Sequence, residues 1–359
     1  MLSTEAVEWL LRDGITVPTP SILLGQVCYR LVKQKLPIAS AVLSIASLDP
    51  LVSMTRLRWQ SNSGRVVEEV MLHGMPAAAS SAENDALRIS FAGTGHHIEW
   101  RSDSGTAFTE EQQDDLSKVC LAMAAPLQVV VERNVTRGVL QAYLGRRSAE
   151  NVLSGSVRRG IGEVIEAVVW ISDLRDFTHL SETLSSAEVI TALNDCCARM
   201  VGAIQPLGGE VLKFIGDGLL AIFPLAELGE QAACDAAISA VRAARAGMAQ
   251  LDNERLRASL CPLPFGIGLH LGPVMYGNIG APDRLDFTAI GPAVNVASRI
   301  EGACRSLACP VLISDAVASR CTENLVPLGL QSLRGVAQPI ALFTLPELKT
   351  GHGSVPSSQ

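Results

Sequence analysis

EVLKFIGDGLLAIF, Glu210 to Phe223, is the stretch on which the fold turns. Glu210–Phe214 and Leu219–Phe223 are short apolar, strand-forming runs, and Gly216-Asp217-Gly218 between them is a hairpin turn signal. Upstream, Val164–Ile171 is a β-branched run, the pattern of a buried strand, and it leads into VVWISDLRDFT, Val168–Thr178. Ser185 with Glu188 forms a capping box that opens a helix running to about Ile204. Downstream, Leu225–Asp252 is an alanine-rich helix. Phe265–Leu271 and Val274–Ile279 read as a second hairpin around Gly272-Pro273. A helix over Ala293–Cys304 and a strand over Pro310–Ile313 follow. The order β-α-β-β-α-β places this half in the α+β class, as a ferredoxin-like antiparallel palm.

The first half reads differently. Ser21–Lys35 has helical spacing, Ile38–Ser47 and Thr55–Gln60 read as strands, and Arg88–Phe91 with His96–Arg101 as another pair. Thr109 caps an acidic helix start, TEEQQDD. A long helix then runs towards Leu144, with a kink expected at Pro126. Leu116, Cys120, Met123, Leu127 and Val131 fall on one face of it. Gly145–Gly162 is polar and glycine-bearing. The expected division is therefore residues 1–145, a linker over 146–162, a second domain over 163–348, and a disordered polar tail over 349–359. Pro76–Asn84 reads as a surface loop.

Composition narrows the function. The 359 residues carry a net charge of −7 with both signs mixed along the chain, and no basic block tracks a phosphate backbone, so nucleic acid is not expected. The nine cysteines are an odd, scattered set without a C-x-x-C pair, which reads as free thiols in a reducing compartment. The acidic N-terminal stretch lacks the basic start of a signal peptide, and no apolar run reaches the ~18 residues of a membrane span. A cytoplasmic location is expected.

Two aspartates mark the chemistry. Asp173 ends the buried strand and Asp217 sits in the hairpin turn. In a palm the strand and the hairpin are neighbours, so the carboxylates can converge. A lone Asp in such a turn is usually a turn residue; a converging pair suits Mg²⁺, a hard cation. In RLDFTAIGPAVNVASRIEG, Arg284–Gly302, Asn295 and Arg299 lie four apart on one helix face. An amide and a guanidinium projecting together suit a ribose and a phosphate.

These segments resemble the catalytic domain of class III adenylate and guanylate cyclases. The resemblance covers about Glu163–Leu345. It rests on V-x-x-S-D-L-R-D-F-T, K-x-x-G-D-G-x-x-A-x-F, G-I-G-L-H-x-G and D-F-T-A-I-G-x-x-V-N-V-A-S-R, in that order. It implies conversion of ATP to 3′,5′-cyclic AMP and pyrophosphate with two Mg²⁺ or Mn²⁺ ions per site. Asp173 and Asp217 would hold the ions, with the Leu174 carbonyl as a further ligand. Lys213 and Thr288 would read the purine, Asn295 would orient the ribose, Arg299 would meet the α-phosphate, and Arg334 the triphosphate. Lys213 can donate to adenine N1 but cannot accept from guanine N1–H, which favours ATP. The alternatives are a guanylate cyclase and a silent nucleotide-binding module. A diguanylate cyclase is disfavoured because Val211-Leu212 follow Gly208-Gly209-Glu210.

Two positions depart from the family pattern. Thr288 stands where the mammalian type has Asp, as in the class IIIb subgroup, which makes bicarbonate a possible regulator. Asp176 stands where the family has Gly, and its carboxylate either joins the metal site or faces solvent. The resemblance also implies a homodimer with the site split between copies. The first half more loosely resembles a GAF-like sensor domain, through HHIEWRSDSG followed by AFTEEQQDDL and the exit helix. No regulator is legible there.

Overall fold

The computed structural model describes residues 4–46, 52–72, 86–103, 106–155, 162–281 and 284–348, in two compact units that divide between Tyr143 and Leu144. The Pro76–Asn84 loop and the tail over 349–359 lie essentially outside the described residues, Ala86 being the first described after the loop.

The first unit opens with α1 (Thr4–Asp13) and α2 (Pro20–Lys33). Five antiparallel strands follow: β1 (Ile38–Ala46), β2 (Val52–Gln60), β3 (Val66–Leu72), β4 (Leu87–Ser90) and β5 (His97–Ser102), in the order β3-β2-β1-β5-β4. The long α3 (Glu110–Leu144) closes the unit. Thr109 caps α3 reciprocally: the Gln112 amide donates to its Oγ1 at 3.3 Å, and its own amide donates to Gln112 Oε1 at 3.0 Å. All five apolar positions expected on one face of α3 are buried, together with Trp100, Leu43 and Ile98 of the sheet.

The second unit begins with α4 (Arg146–Leu153), inside the stretch expected to be a linker. Then come β6 (Gly162–Leu174), α5 (Phe177–Thr183), α6 (Ser186–Ile204), β7 (Glu210–Ile215), β8 (Gly218–Pro224), α7 (Leu225–Leu228), α8 (Glu230–Arg257), β9 (Phe265–Ala281) and β10 (Arg284–Ile290). The unit ends with α9 (Pro292–Ser306), β11 (Val311–Ser314), α10 (Asp315–Ala318), β12 (Val326–Gln331) and β13 (Ile340–Thr344). The sheet order is β12-β13-β11-β9-β6-β8-β7, with β10 on β9. Its centre, β9-β6-β8-β7, is the expected ferredoxin-like palm. Alternation along β6 sends Val168 and Trp170 to the α6 and α8 side and Ala167 and Val169 to the α9 side, and all four are fully buried.

Two expectations are corrected. Gly272-Pro273 is no turn: β9 runs unbroken for 17 residues and pairs with β6 from Gly162↔Gly277 to Leu174↔Phe265. On its other side β9 pairs with β11 only over Ile267–Leu269 and with β10 only from Met275 onward. Pro273 falls in the gap between these partners, where a missing N–H removes no ladder bond on that side. The helix expected over Leu225–Asp252 is broken at Gly229, whose φ of 83° ends α7 before α8 begins.

A polar cluster seats α4. Tyr276 Oη of β9 donates to Glu210 Oε1 at 3.0 Å and lies 3.3 Å from Ser148 Oγ. Arg147 lies over the Tyr276 ring, 5.1 Å from its centroid, and pairs with Glu163 and Glu227. Burial pushes the Glu210 carboxyl above its ordinary range, while the Tyr276 hydroxyl and Arg147 pull it back.

Candidate active site

β6 delivers Asp173 and the β7–β8 hairpin delivers Asp217 to one cleft. Its lining includes Ser172, Leu174, Cys196, Met200 and Phe265. The approach needs a residue without a side chain beside Asp217. A Cβ on Gly218 would overlap the Ser172 carbonyl oxygen and sit 2.9 Å from Asp173 Oδ1. The two carboxyl groups are hydrogen-bonding neighbours. Burial, then the like charge and hydrogen bond of Asp217, push Asp173 up to about 6, against a partial pull from Arg175. Two close carboxylates that raise each other's affinity for a proton would also attract a cation. Their donors are hard oxygens, which fit Mg²⁺ or Mn²⁺. The nearby Cys196 thiol, pushed up to about 12 mainly by burial, stays protonated and is no competitor for the ion. Among the described residues no group of three or more acidic, histidine or cysteine side chains gathers to hold a metal. The remaining ligands must therefore come from main chain, water or substrate phosphate. Leu174 closes β6 beside this pair, with its side chain in the core.

The residues expected to read the base lie elsewhere. Lys213 of β7 pairs through Nζ with Asp286 Oδ2 of β10 at 2.8 Å. Asp286 and Thr288 are two apart on one strand and so share a face. Thr288 is only 3% exposed, and its Oγ1 has no hydrogen-bond partner. Such a hydroxyl is costly unless something bonds it. Asp286 escaped the sequence reading. Its signal was the i, i+2 relation to Thr288. It also corrects the base argument: its carboxylate offers the acceptor that Lys213 lacks, so a guanine N1–H need not go unpaired.

Asn295 and Arg299 lie four apart on α9 and are exposed. Neither lines the Asp173–Asp217 cleft of its own chain. Arg334 is exposed in the connection between β12 and β13. Asp176 has φ 55°, the left-handed region, which accounts for the family glycine there. Its exposed side chain pairs with Arg305 of α9 and lies outside the metal cleft. His179 is exposed, and His270 bonds Ser314 Oγ through Nδ1 at 2.9 Å, a satisfied structural histidine.

Residues 163–336 match the family model of the adenylate and guanylate cyclase catalytic domain. The second unit carries a class III cyclase catalytic domain. The chain is 33% identical over 175 residues to an adenylate cyclase of Anabaena cylindrica, covering 47% of this chain and 34% of that protein. Adenylate cyclase 1 of Rhizobium meliloti (strain 1021) is 30% identical over 184 residues, covering 50% of this chain and 27% of that protein. The chain thus spans about a third or less of these curated relatives. A solved bacterial light-regulated adenylyl cyclase superposes with a TM-score of 0.53 at 26% identity, covering 68% of this chain and 69% of that one. No helix among the described residues is long and apolar enough to cross a membrane.

Proposed function

We propose that this protein is an adenylate cyclase, forming 3′,5′-cyclic AMP and pyrophosphate from ATP. The observation that carries the reading is the convergence of Asp173 and Asp217 on one cleft at the tip of a cyclase palm. Two Mg²⁺ or Mn²⁺ ions bound there would supply the charge that neutralises the triphosphate and acidifies the ribose 3′-hydroxyl. Asp173 and Asp217 hold these ions, with the Leu174 carbonyl as a further oxygen. Lys213 donates to adenine N1, and the Thr288 hydroxyl accepts from the 6-amino group. That hydroxyl, buried and unpartnered in the chain alone, fits this task. Asn295 orients the ribose, Arg299 meets the charge growing on the α-phosphate, and Arg334 meets the triphosphate.

The site is assembled from two copies. Asn295 and Arg299 are exposed and do not line their own chain's carboxylate cleft, so a second copy would bring them. The apolar side chains of Phe214, Ile215, Met275, Ile279, Leu285 and Ile290 are exposed on β7, β9 and β10, and a second copy would cover them. The first unit serves as a GAF-like sensor acting through α3. It contains a cavity of about 340 Å³ lined by Ser21, Thr55, Glu68 and Asn134 among apolar residues, room for a small regulator. Thr288 makes bicarbonate a further candidate regulator. Nine cysteines without a disulfide suit a cytoplasmic enzyme.

The test is product identification with ATP and GTP in competition, with Mg²⁺ or Mn²⁺, with and without bicarbonate. Cyclic AMP that disappears in Asp173→Ala and Asp217→Ala supports the reading. Cyclic GMP as the main product would overturn the base assignment and point to Asp286 as its acceptor. No cyclic nucleotide at all would leave a binding module.

A further inference from the structure

The G-I-G segment of the cyclase motifs, Gly266–Gly268, has no part in the chemistry above. Its two glycines lie on one face of β9, and α9 rests directly on them. A Cβ on Gly268 would meet Glu301 N at 2.5 Å and Ala297 O at 2.6 Å. A Cβ on Gly266 would overlap the Arg175 guanidinium and sit 2.6 Å from Glu301 Oε1. The space these glycines leave holds an ion pair. Arg175 Nη2 lies 2.7 Å from Glu301 Oε1 and donates to the Glu301 main-chain oxygen at 3.1 Å. The Arg175 main-chain N–H is fixed as well, donating to Pro264 O at 2.6 Å. The Arg175 and Glu301 side chains are 19% and 9% exposed. One residue further on, Asp176 pairs with Arg305, four beyond Glu301 on α9. Successive + and − charges on the loop thus meet − and + on one helix face. The loop begins two residues after Asp173. The helix carries Asn295 and Arg299.

We propose that Arg175 and Glu301 are positioning residues that strap the metal-binding end of β6 to α9, so that the two half-sites carried by one chain move as one body. This rests on the shared-site reading above. In a homodimer each chain gives its carboxylates to one site and its Asn295 and Arg299 to the other. The strap therefore couples the two sites. Residues that touch neither the ions nor the nucleotide of a given site still set its geometry.

The test uses full-length heterodimers in which one copy carries Asp217→Ala and the other Asn295→Ala. One composite site stays intact, built from the carboxylates of the second copy and the α9 of the first. Arg175→Met is placed in the first copy, where Arg175 adjoins only the disabled carboxylates. Glu301→Gln is placed in the second, where Glu301 lies on the disabled helix but within electrostatic reach of the working Asp173 and Asp217, so Arg175→Met is the decisive arm. Each crosswise variant is expected to lower kcat about tenfold, the loss that a displacement of well under 1 Å brings, and Arg175→Lys to restore part of it. An unchanged kcat in the crosswise Arg175→Met variant would overturn the strap and leave a purely local charge effect. The Arg175→Met/Glu301→Gln pair in the first copy leaves no lone buried charge, and its retained thermal midpoint separates the loss from misfolding. Hydrogen exchange of the ligand-free homodimer gives a readout without turnover. Arg175→Met is expected to speed exchange in both 171–177 and 292–306, and acceleration of one segment alone counts against the strap. Should the parent heterodimer be inactive although paired, the shared-site reading fails, and hydrogen exchange alone decides the strap.

Discussion

Asp217→Asn should make the metal-free protein more stable, not less. In the native chain Asp173 titrates at about 6, against 3.8 for an ordinary aspartate. The unfolded chain therefore releases this proton earlier as pH rises, and the fold carries a penalty. The penalty is absent below about 4, grows to about pH 6 and is complete above it. The gap corresponds to about 3 kcal/mol in a dry site, and screening at this partly exposed carboxyl reduces it to about 1–2 kcal/mol. Burial is its largest cause, with the like charge and hydrogen bond of Asp217 next. Removing the Asp217 charge should therefore return about 1 kcal/mol at pH 8, or roughly 2–4 °C in thermal midpoint for a domain of this size. The assay is thermal unfolding in EDTA at pH 8 and pH 4.5, wild type against variant. The difference should shrink at the lower pH. Adding Mn²⁺ with a non-hydrolysable ATP analogue should invert the order, because only the wild-type pair gains from the ion. A variant equal to or less stable than wild type at pH 8 in EDTA, or a difference unchanged by pH, would refute the argument.

Proton and metal compete for the same oxygens, so the Mn²⁺ concentration giving half-saturation should rise about tenfold per pH unit below about 6; a flat response between pH 5 and 7 in a binding titration would contradict the paired-carboxylate site. Placing charge on the exposed apolar hairpin, Phe214→Asp with Ile215→Asp, should shift sedimentation to the monomer and cut activity at least about a hundredfold, since Asn295 and Arg299 then have no partner carboxylates. Gly266→Ala should cost about 1–3 kcal/mol in urea unfolding, because the added methyl displaces a buried ion pair. Lys213→Glu should weaken ATP turnover about a hundredfold, whereas Asp286→Asn, the exposed side of the pair, should change stability by under about 0.5 kcal/mol and show its effect in the ATP-to-GTP ratio.

Where local pattern and tertiary environment agreed, the sequence was a sufficient guide. The β6 run, the Ser185–Glu188 capping box and the apolar stripe of α3 each encode one periodicity or one cap, and each stands as read. Convergence of Asp173 and Asp217 was legible because palm topology makes their two elements neighbours. What failed depended on partners remote in sequence. Gly272-Pro273 carries a turn signal, yet its ladder with Glu166 and Ala167 of β6 holds it extended. The Lys213–Asp286 pair joins residues of two strands, and the Arg175–Glu301 pair joins a loop to a helix. No local period announces either. Asp176 was half legible: its departure from the family glycine was visible, but its left-handed backbone and its Arg305 partner far along the chain were not.

The docking of α4 bears on how this chain can be shortened. Trimming to residue 163, where the family match begins, would strip Ser148 and the Arg147 guanidinium from the palm. Glu210 would keep only its Tyr276 neighbour, at the root of the very strand that bears Lys213. A fragment begun at Gly145 retains the helix, and with it the footing of the strand that bears Lys213. Earlier cuts and later ones are thus unequal operations: one removes the first unit, the other loosens the palm.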